Sequence, residues 1–423
     1  MKLFTLCAGL LAVLFSLAAR AQGVTIGAAG PPDASATLEV RSTAGGLLLP
    51  RLTSAQRVAI AAPAAGLLVF QTDNSPSVYY FDGTRWRNLV DGTLAAPVGV
   101  ATTLAGSGTA AFADGTGPAA QFRTPIGVAC DGNGNVFVAD TDNNRIRRIV
   151  AATGAVTTLA GSTVGFADGT GPAAQFNSPT GVACDGGGNV FVADADNNRI
   201  RRIVAATGAV TTLAGSGASG FADGTGTNAR FFTPIGVACD GIGNVFVADA
   251  DNHCIRRIVA ATGAVTTLAG SGTAAFADGT GPAAQFNSPT GVACDGRGNV
   301  YVADFNNQRI RCIVAVTGVV TTLAGSAFGF ADGQGTAAQF RTPYGVACDA
   351  SGNVFVADFG NHRIRRIVAA TGVVTTLAGS GTFGFADGTG PAAQFRSPRG
   401  VACDASGTVY VADTGNQRIR VLR

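Results

Sequence analysis

The chain has 423 residues, 47% of them apolar and 13% charged, and a formal net charge of +3. That balance excludes a strong attraction to polyanions or acidic membrane surfaces, and the regularly placed apolar residues exclude a disordered chain despite 60 glycines. Lys2 is the only Lys and Glu39 the only Glu, so beyond residue 39 the ionisable chemistry is Asp, Arg, Cys, Tyr and two His.

Residues 1–21 read as an export signal: Lys2 supplies the positive start, Leu3 to Leu17 an apolar core, and Ala19-Arg20-Ala21 a small-x-small cleavage site. The mature chain is expected to begin near Gln22. Cys7 lies inside the apolar core rather than after it, which argues against lipid attachment there. No later segment is apolar for the roughly 20 residues that a membrane span needs. The processed protein is therefore expected not to span a membrane and to reside in the periplasm, on the cell surface or outside the cell.

Residues 22–97 do not repeat. Thr53 and Gln56 have capping-box spacing, which predicts a short helix after Thr53. The remainder reads as short strands, with Asp82-Gly83 as a hairpin turn. The run PDASATLEV, GGLLLPRLTSAQRVAI and GLLVF resembles a module at the N-terminus of exported Bacteroidetes surface proteins. The resemblance implies a stalk or fibre base and carries no chemistry.

From residue 98 onward one segment dominates. PIGVACDGNGNVFVADTDNNRIRRI starts at Pro125 and recurs from Pro179, Pro234, Pro289, Pro343 and Pro398. A fixed period of this size signals a solenoid or a propeller. Each copy reads as four strands: a, Gly127 to Cys130; b, Asn135 to Asp140; c, Arg145 to Val150; d, Ala155 to Gly161. Strand b is apolar on both faces, as a sheet covered on both sides requires. A TLAG copy ending at Gly106 precedes the first GVAC, and the last copy stops at strand c. The displaced first strand is thus expected to complete the last sheet and close a ring, which removes exposed edges. The fold class is all-β: a six-bladed β-propeller over 98–423, closed by an N-terminal strand and preceded by a small β-rich module.

NVFVADTDNNRIRRI following P-x-GVACD resembles the NHL repeat. The added TLAG and GFADGTGPAAQF segments resemble NHL propellers of bacterial exported proteins and of teneurins. WD40 repeats would need a Trp in each blade, and Trp86, the only one, lies outside.

Most apparent chemistry dissolves when the copies are compared. Cys130, Cys184, Cys239, Cys294, Cys348 and Cys403 share one repeat position, and equivalent positions in neighbouring sheets lie too far apart for disulfides. Asp131 to Asn135 has the spacing of a calcium loop, but its middle position becomes Ile242 and Arg297 elsewhere, so a tight turn is expected. The Asp of each VAD is expected to hold the turn that follows it. Some NHL-like proteins bind RNA; the export signal and the balanced charge argue against that here. Related propeller lyases hold zinc with several His, whereas His253 and His362 are the only His and occupy one b–c turn position. No catalytic residue, metal or cofactor is expected.

The copies differ at two positions assigned to one face, at the d–a and b–c connections. The residue entering strand a is Ile126, Thr180, Ile235, Thr290, Tyr344 and Arg399. The residue after VAD is Thr141, Ala195, Ala250, Phe305, Phe359 and Thr414. Aromatic and basic variants gather in the last three copies, with Phe328 and Phe383 nearby in sequence. Phe305, Tyr344, Phe359, Arg399 and His362 are therefore the candidate ligand-binding residues, since aromatics and Arg anchor recognition. The expected function is an exported non-enzymatic binding or adhesion scaffold for a protein or glycan. The alternative is a lyase or hydrolase with its active site at the channel mouth.

Overall fold

A computed structural model describes residues 24–27, 38–41, 48–73, 77–89 and 100–423. The leader and the junction near residue 97 lie outside the described residues. The chain divides into two compact units, 1–93 and 94–423.

In the first unit, Val24–Gly27 pairs in parallel with Leu38–Arg41. A four-stranded sheet follows in the order Arg51–Leu52, Leu68–Gln71, Ser77–Phe81, Trp86–Asn88. Helix Ser54–Val58 carries the expected capping box: Gln56 donates its amide to Thr53 Oγ1, and Thr53 donates its own to Gln56 Oε1. Asp82 Oδ1 accepts from the amides of Thr84 and Arg85 and closes the hairpin. Arg57, almost fully buried, donates to Gln71 and lies over the rings of Tyr79 and Trp86.

The second unit is a six-bladed propeller. In blade 1, strands a to d are Pro125–Cys130, Asn135–Asp140, Arg145–Val150 and Ala155–Ala160. Each sheet has five strands rather than the expected four. A two-residue strand from the FADG loop, Gly115–Thr116 in blade 1, pairs with the outer edge of strand d. Two residues are too few to show an alternating pattern, so the sequence reads as loop there. In the last sheet Val100–Ala105 sits between Gly388–Thr389 and Arg418–Leu422, in the place of strand d. Thr103 even donates to Asp387, as Thr158 does to Asp114 in blade 1.

Adjacent blades share apolar cores. Val136 and Val138 pack with Tyr410, Ala412 and Ile419 of blade 6, while Phe137 and Ala139 pack with Val182, Val190 and Val192 of blade 2. Strand a is innermost, and its glycines set the width of the ring. A Cβ on Gly127 would collide with the Thr180 carbonyl of the next blade, and so on around to Gly400 against the Ile126 carbonyl. No side chain fits at these six positions.

One charged cluster recurs in every blade. Arg147 is fully buried and reaches Asp140 at 2.7 Å and Asp114 at 2.6 Å. It also donates to the carbonyls of Gln121 and Ala113 and lies between the rings of Phe112 and Phe122. Asp140 further accepts from the Arg123 amide and from Asn143 Nδ2. The VAD aspartate thus holds its turn, as expected, and also neutralises a buried arginine. Burial pushes these carboxyls up, to about 6 in Asp249, although Asn252, the Phe232 amide and Arg256 pull the other way.

Deleting residues 98–106 removes the closing strand with its buried Ala101 and Ala105. It should lower the Tm of the propeller by more than about 10 °C, whereas deleting residues 22–89 should leave that transition in place. Calorimetry of both deletions decides it; an unchanged transition without the closing strand would contradict the ring.

Candidate functional site

Four of the five candidate residues come together. Phe305 and Tyr344 meet edge to face at 6.0 Å, and Tyr344 and Phe359 lie tilted at 6.3 Å. The Arg399 guanidinium sits 5.2 Å from the Tyr344 ring and 5.3 Å from the Phe359 ring. Strand starts and strand ends of blades 4 to 6 present them, so a rigid frame fixes the patch. Elsewhere on this face the equivalent residues are Thr, Ala or Ile. Thr141 and Thr414, for example, donate to the Pro179 and Pro125 carbonyls of the next blade. Burial pushes the Tyr344 hydroxyl above its ordinary value, against the pull of Arg399.

The patch covers one end of the channel. Tyr344 and Arg399, with Ile126, Thr180, Ile235 and Thr290, surround a space of only about 60 Å³. That holds a few waters or one small polar group, well below the roughly 300–1,000 Å³ of a pocket that engulfs a ligand. Recognition on this face therefore happens over the mouth. The opposite mouth has a larger cavity of about 360 Å³, lined by the Cys-Asp-Gly turns of Cys184, Cys239 and Cys294 and by Cys348-Asp349-Ala350. Its chemistry is quiet. Burial pushes the Cys239 and Cys348 thiols well above their ordinary value, so they stay protonated. In the turns, Asp185 Oδ1 accepts from the amides of Gly187 and Asn189, and its Oδ2 from Asn189 Nδ2. All eight described cysteines are free.

His362 stands apart from the four. Its Nδ1 accepts from the Ser397 amide at 3.1 Å, and its ring meets Phe383 at 6.1 Å. The same clasp links every pair of neighbouring blades: Asn144 to Ser178, Asn198 to Thr233, His253 to Ser288, Gln308 to Thr342, and Gln417 to Thr124. Each clasp residue has left-handed backbone, with φ between 51° and 58°. Asn, Gln and His interchange there because each offers an acceptor at the right reach. His362 is thus a clasp between blades, and we remove it from the candidate site. Phe328 and Phe383 also lie away from the patch, exposed beside Arg341 and Arg396.

These features place the chain among repeat-built propellers. The NHL repeat model matches residues 122–149, 176–203, 286–313, 340–367 and 395–422. Five of the six blades thus carry an NHL repeat. A second model, the phage tail like trimerisation region, matches residues 25–106 and so runs into the closing strand. The chain is 33% identical to protein SUPPRESSOR OF QUENCHING 1 of Arabidopsis thaliana, over 61% of this chain and 26% of that protein. It is 30% identical to human NHL repeat-containing protein 2, over 68% and 44%, and 26% identical to zebrafish (Danio rerio) teneurin-3, over 72% and 12%. It thus spans less than half of the curated relatives it matches. Among solved structures it resembles an auxiliary nutrient binding protein from Bacteroides thetaiotaomicron, with TM-score 0.60, 15% identity and 83% of each chain covered. It also resembles a gluconolactonase from Xanthomonas campestris, with TM-score 0.52, 13% identity, and 85% and 98% covered. Both likenesses are of fold.

Burial, with Arg341, Arg363 and Arg396, lowers the His362 pKa below its ordinary 6.5. As pH falls, the unfolded chain takes up this proton first, so stability is lost as pH drops through about 6.5 and downward. Protonation of Nδ1 also removes the acceptor for Ser397. His362→Gln keeps the clasp without the titration. It should match the parent Tm near pH 8 and lose less of it by about pH 5; identical pH profiles would rule the clasp out as an acid-sensitive element.

Proposed function

We propose that this protein is an exported, non-enzymatic binding or adhesion scaffold. It engages a protein or glycan through the Phe305–Tyr344–Phe359–Arg399 patch. The observation that carries the reading is the loss of sixfold equivalence at one channel mouth, where three aromatic rings and an arginine replace Thr, Ala and Ile. Such residues on a rigid frame suit recognition. The export signal read from residues 1–21 supports a location outside the cytoplasm, and no helix among the described residues is long and apolar enough to cross a membrane. The match of residues 25–106 supports an N-terminal segment that joins three copies, which would multiply a weak site by avidity. The gluconolactonase-like fold keeps a lyase or hydrolase in view. Against it stand the protonated thiols and turn-bound carboxylates of the larger cavity.

The test is a glycan-array and pull-down screen with the intact chain beside Phe305→Ala/Tyr344→Ala/Phe359→Ala/Arg399→Ala. Each buried anchor should cost about 2 kcal/mol of binding, so the fourfold variant should lose capture while keeping its fold. Undiminished capture by that variant would sink this choice of face. Light scattering should give the mass of three chains, and one chain after deletion of residues 22–89; a monomeric intact chain would contradict the assembly role.

A further inference from the structure

Arg399 differs from the arginines of the repeated cluster in having no carboxylate partner among the described residues. Arg147, Arg201, Arg256, Arg311, Arg365 and Arg420 each contact two aspartates. The Arg399 guanidinium has no hydrogen bond and no ion pair to any described residue; its Nε is buried without an acceptor, as is that of each cluster arginine, so the difference lies in the missing carboxylates. The residues around the small space at this mouth include no carboxylate. The threonine hydroxyls there are committed: Thr180 Oγ1 donates to the Ile235 carbonyl at 2.9 Å and Thr290 Oγ1 to the Tyr344 carbonyl at 2.8 Å. The other walls are Ile126, Ile235 and inward-facing valines. Arg399 is half-buried at the mouth with no counter-charge, so an arriving anion meets an unpaired cation beside apolar walls. The guanidinium rests against both the Tyr344 and Phe359 rings, which restricts its orientation before any ligand arrives.

We infer that Arg399 is the anchor for a carboxylate group of the ligand, received in the small space at the channel mouth. The chemistry fits in charge, shape and size. A guanidinium presents paired N–H donors in one plane, which matches the two oxygens of a carboxylate. A space of about 60 Å³ admits one such group and excludes a whole ring or side chain. The rest of the ligand would then lie over Phe305 and the outer edges of Tyr344 and Phe359. This inference rests on the reading of this face as the binding face.

The probe is trifluoroacetate, with its neutral counterpart trifluoroacetamide, followed by 19F line broadening on the full chain at low salt. The carboxylate should bind at about millimolar strength and the amide at least about tenfold more weakly. Arg399→Met should weaken the carboxylate about tenfold, and Arg399→Lys should retain part of the binding. Arg396→Met, at the rim beside Phe383, should change nothing. Equal binding of carboxylate and amide, no carboxylate binding at all, or full binding by a folded Arg399→Met protein would each overturn the inference. The comparison of the two probes on the unmutated chain stands even if Arg399→Met misfolds. If the probes fail but the fourfold variant still loses capture, the carboxylate assignment falls and the face stands. If that variant keeps capture, the face itself falls.

Discussion

Every blade is organised around a buried arginine. Burying a guanidinium costs several kcal/mol unless its charge and its donors are met. Here two aspartates, two backbone carbonyls and two phenylalanine rings meet the charge and the terminal N–H donors, leaving only Nε without an acceptor, and these groups come from separate stretches of the repeat. Arg256 on strand c thus ties the Asp249 turn, the Asp223 loop and the segment at Arg230 into one unit. The loop that reads as irregular in sequence is held because Asp223 and Phe221 are ligands of the arginine. Phe221 gives one face to Arg256 and is otherwise exposed, since Cys254 stands where other blades place a second arginine over this ring.

With the blades fixed in this way, the ring follows from what lies between them. The inner glycines let each strand a approach the carbonyls of the next. The clasp residues at the b–c turns join each blade to the amide that precedes the next blade's proline. Both sets run through the junction of blades 6 and 1, where Gly400 meets Ile126 and Gln417 meets Thr124. A frame this regular can tolerate exceptions at its ends, and Tyr344, Phe359, Phe305 and Arg399 are such exceptions. They are supported by neighbours that are the same in all blades, which is why they can serve recognition without weakening the scaffold.

The fold was legible because the pattern repeats. The ring closure followed from one displaced strand, and the inward patch followed from two positions that vary. The burial of Arg147 and its equivalents was not read, although the copies hold the clue. The first arginine of RIRR becomes Cys254 and the third becomes Cys312 and Val421, while the second never changes. Strand alternation alone does not separate an exposed arginine from one that enters the blade, because the counter-charges lie seven and 33 residues away in sequence. His362 was misplaced for a related reason. Its b–c turn position is legible in sequence, but the property shared by Asn, Gln and His there, an acceptor for a backbone amide of the next blade, is not.

The central claim is that the buried arginine, not the general basicity of strand c, holds each blade. Arg256→Met and Arg257→Met test it within one strand, measured by denaturant unfolding of the propeller. Arg256→Met leaves Asp249 buried without its cation and should cost about 3–5 kcal/mol, while Arg257→Met, on the half-exposed side, should cost less than about 1 kcal/mol. Equal and small losses at the two positions would contradict the account.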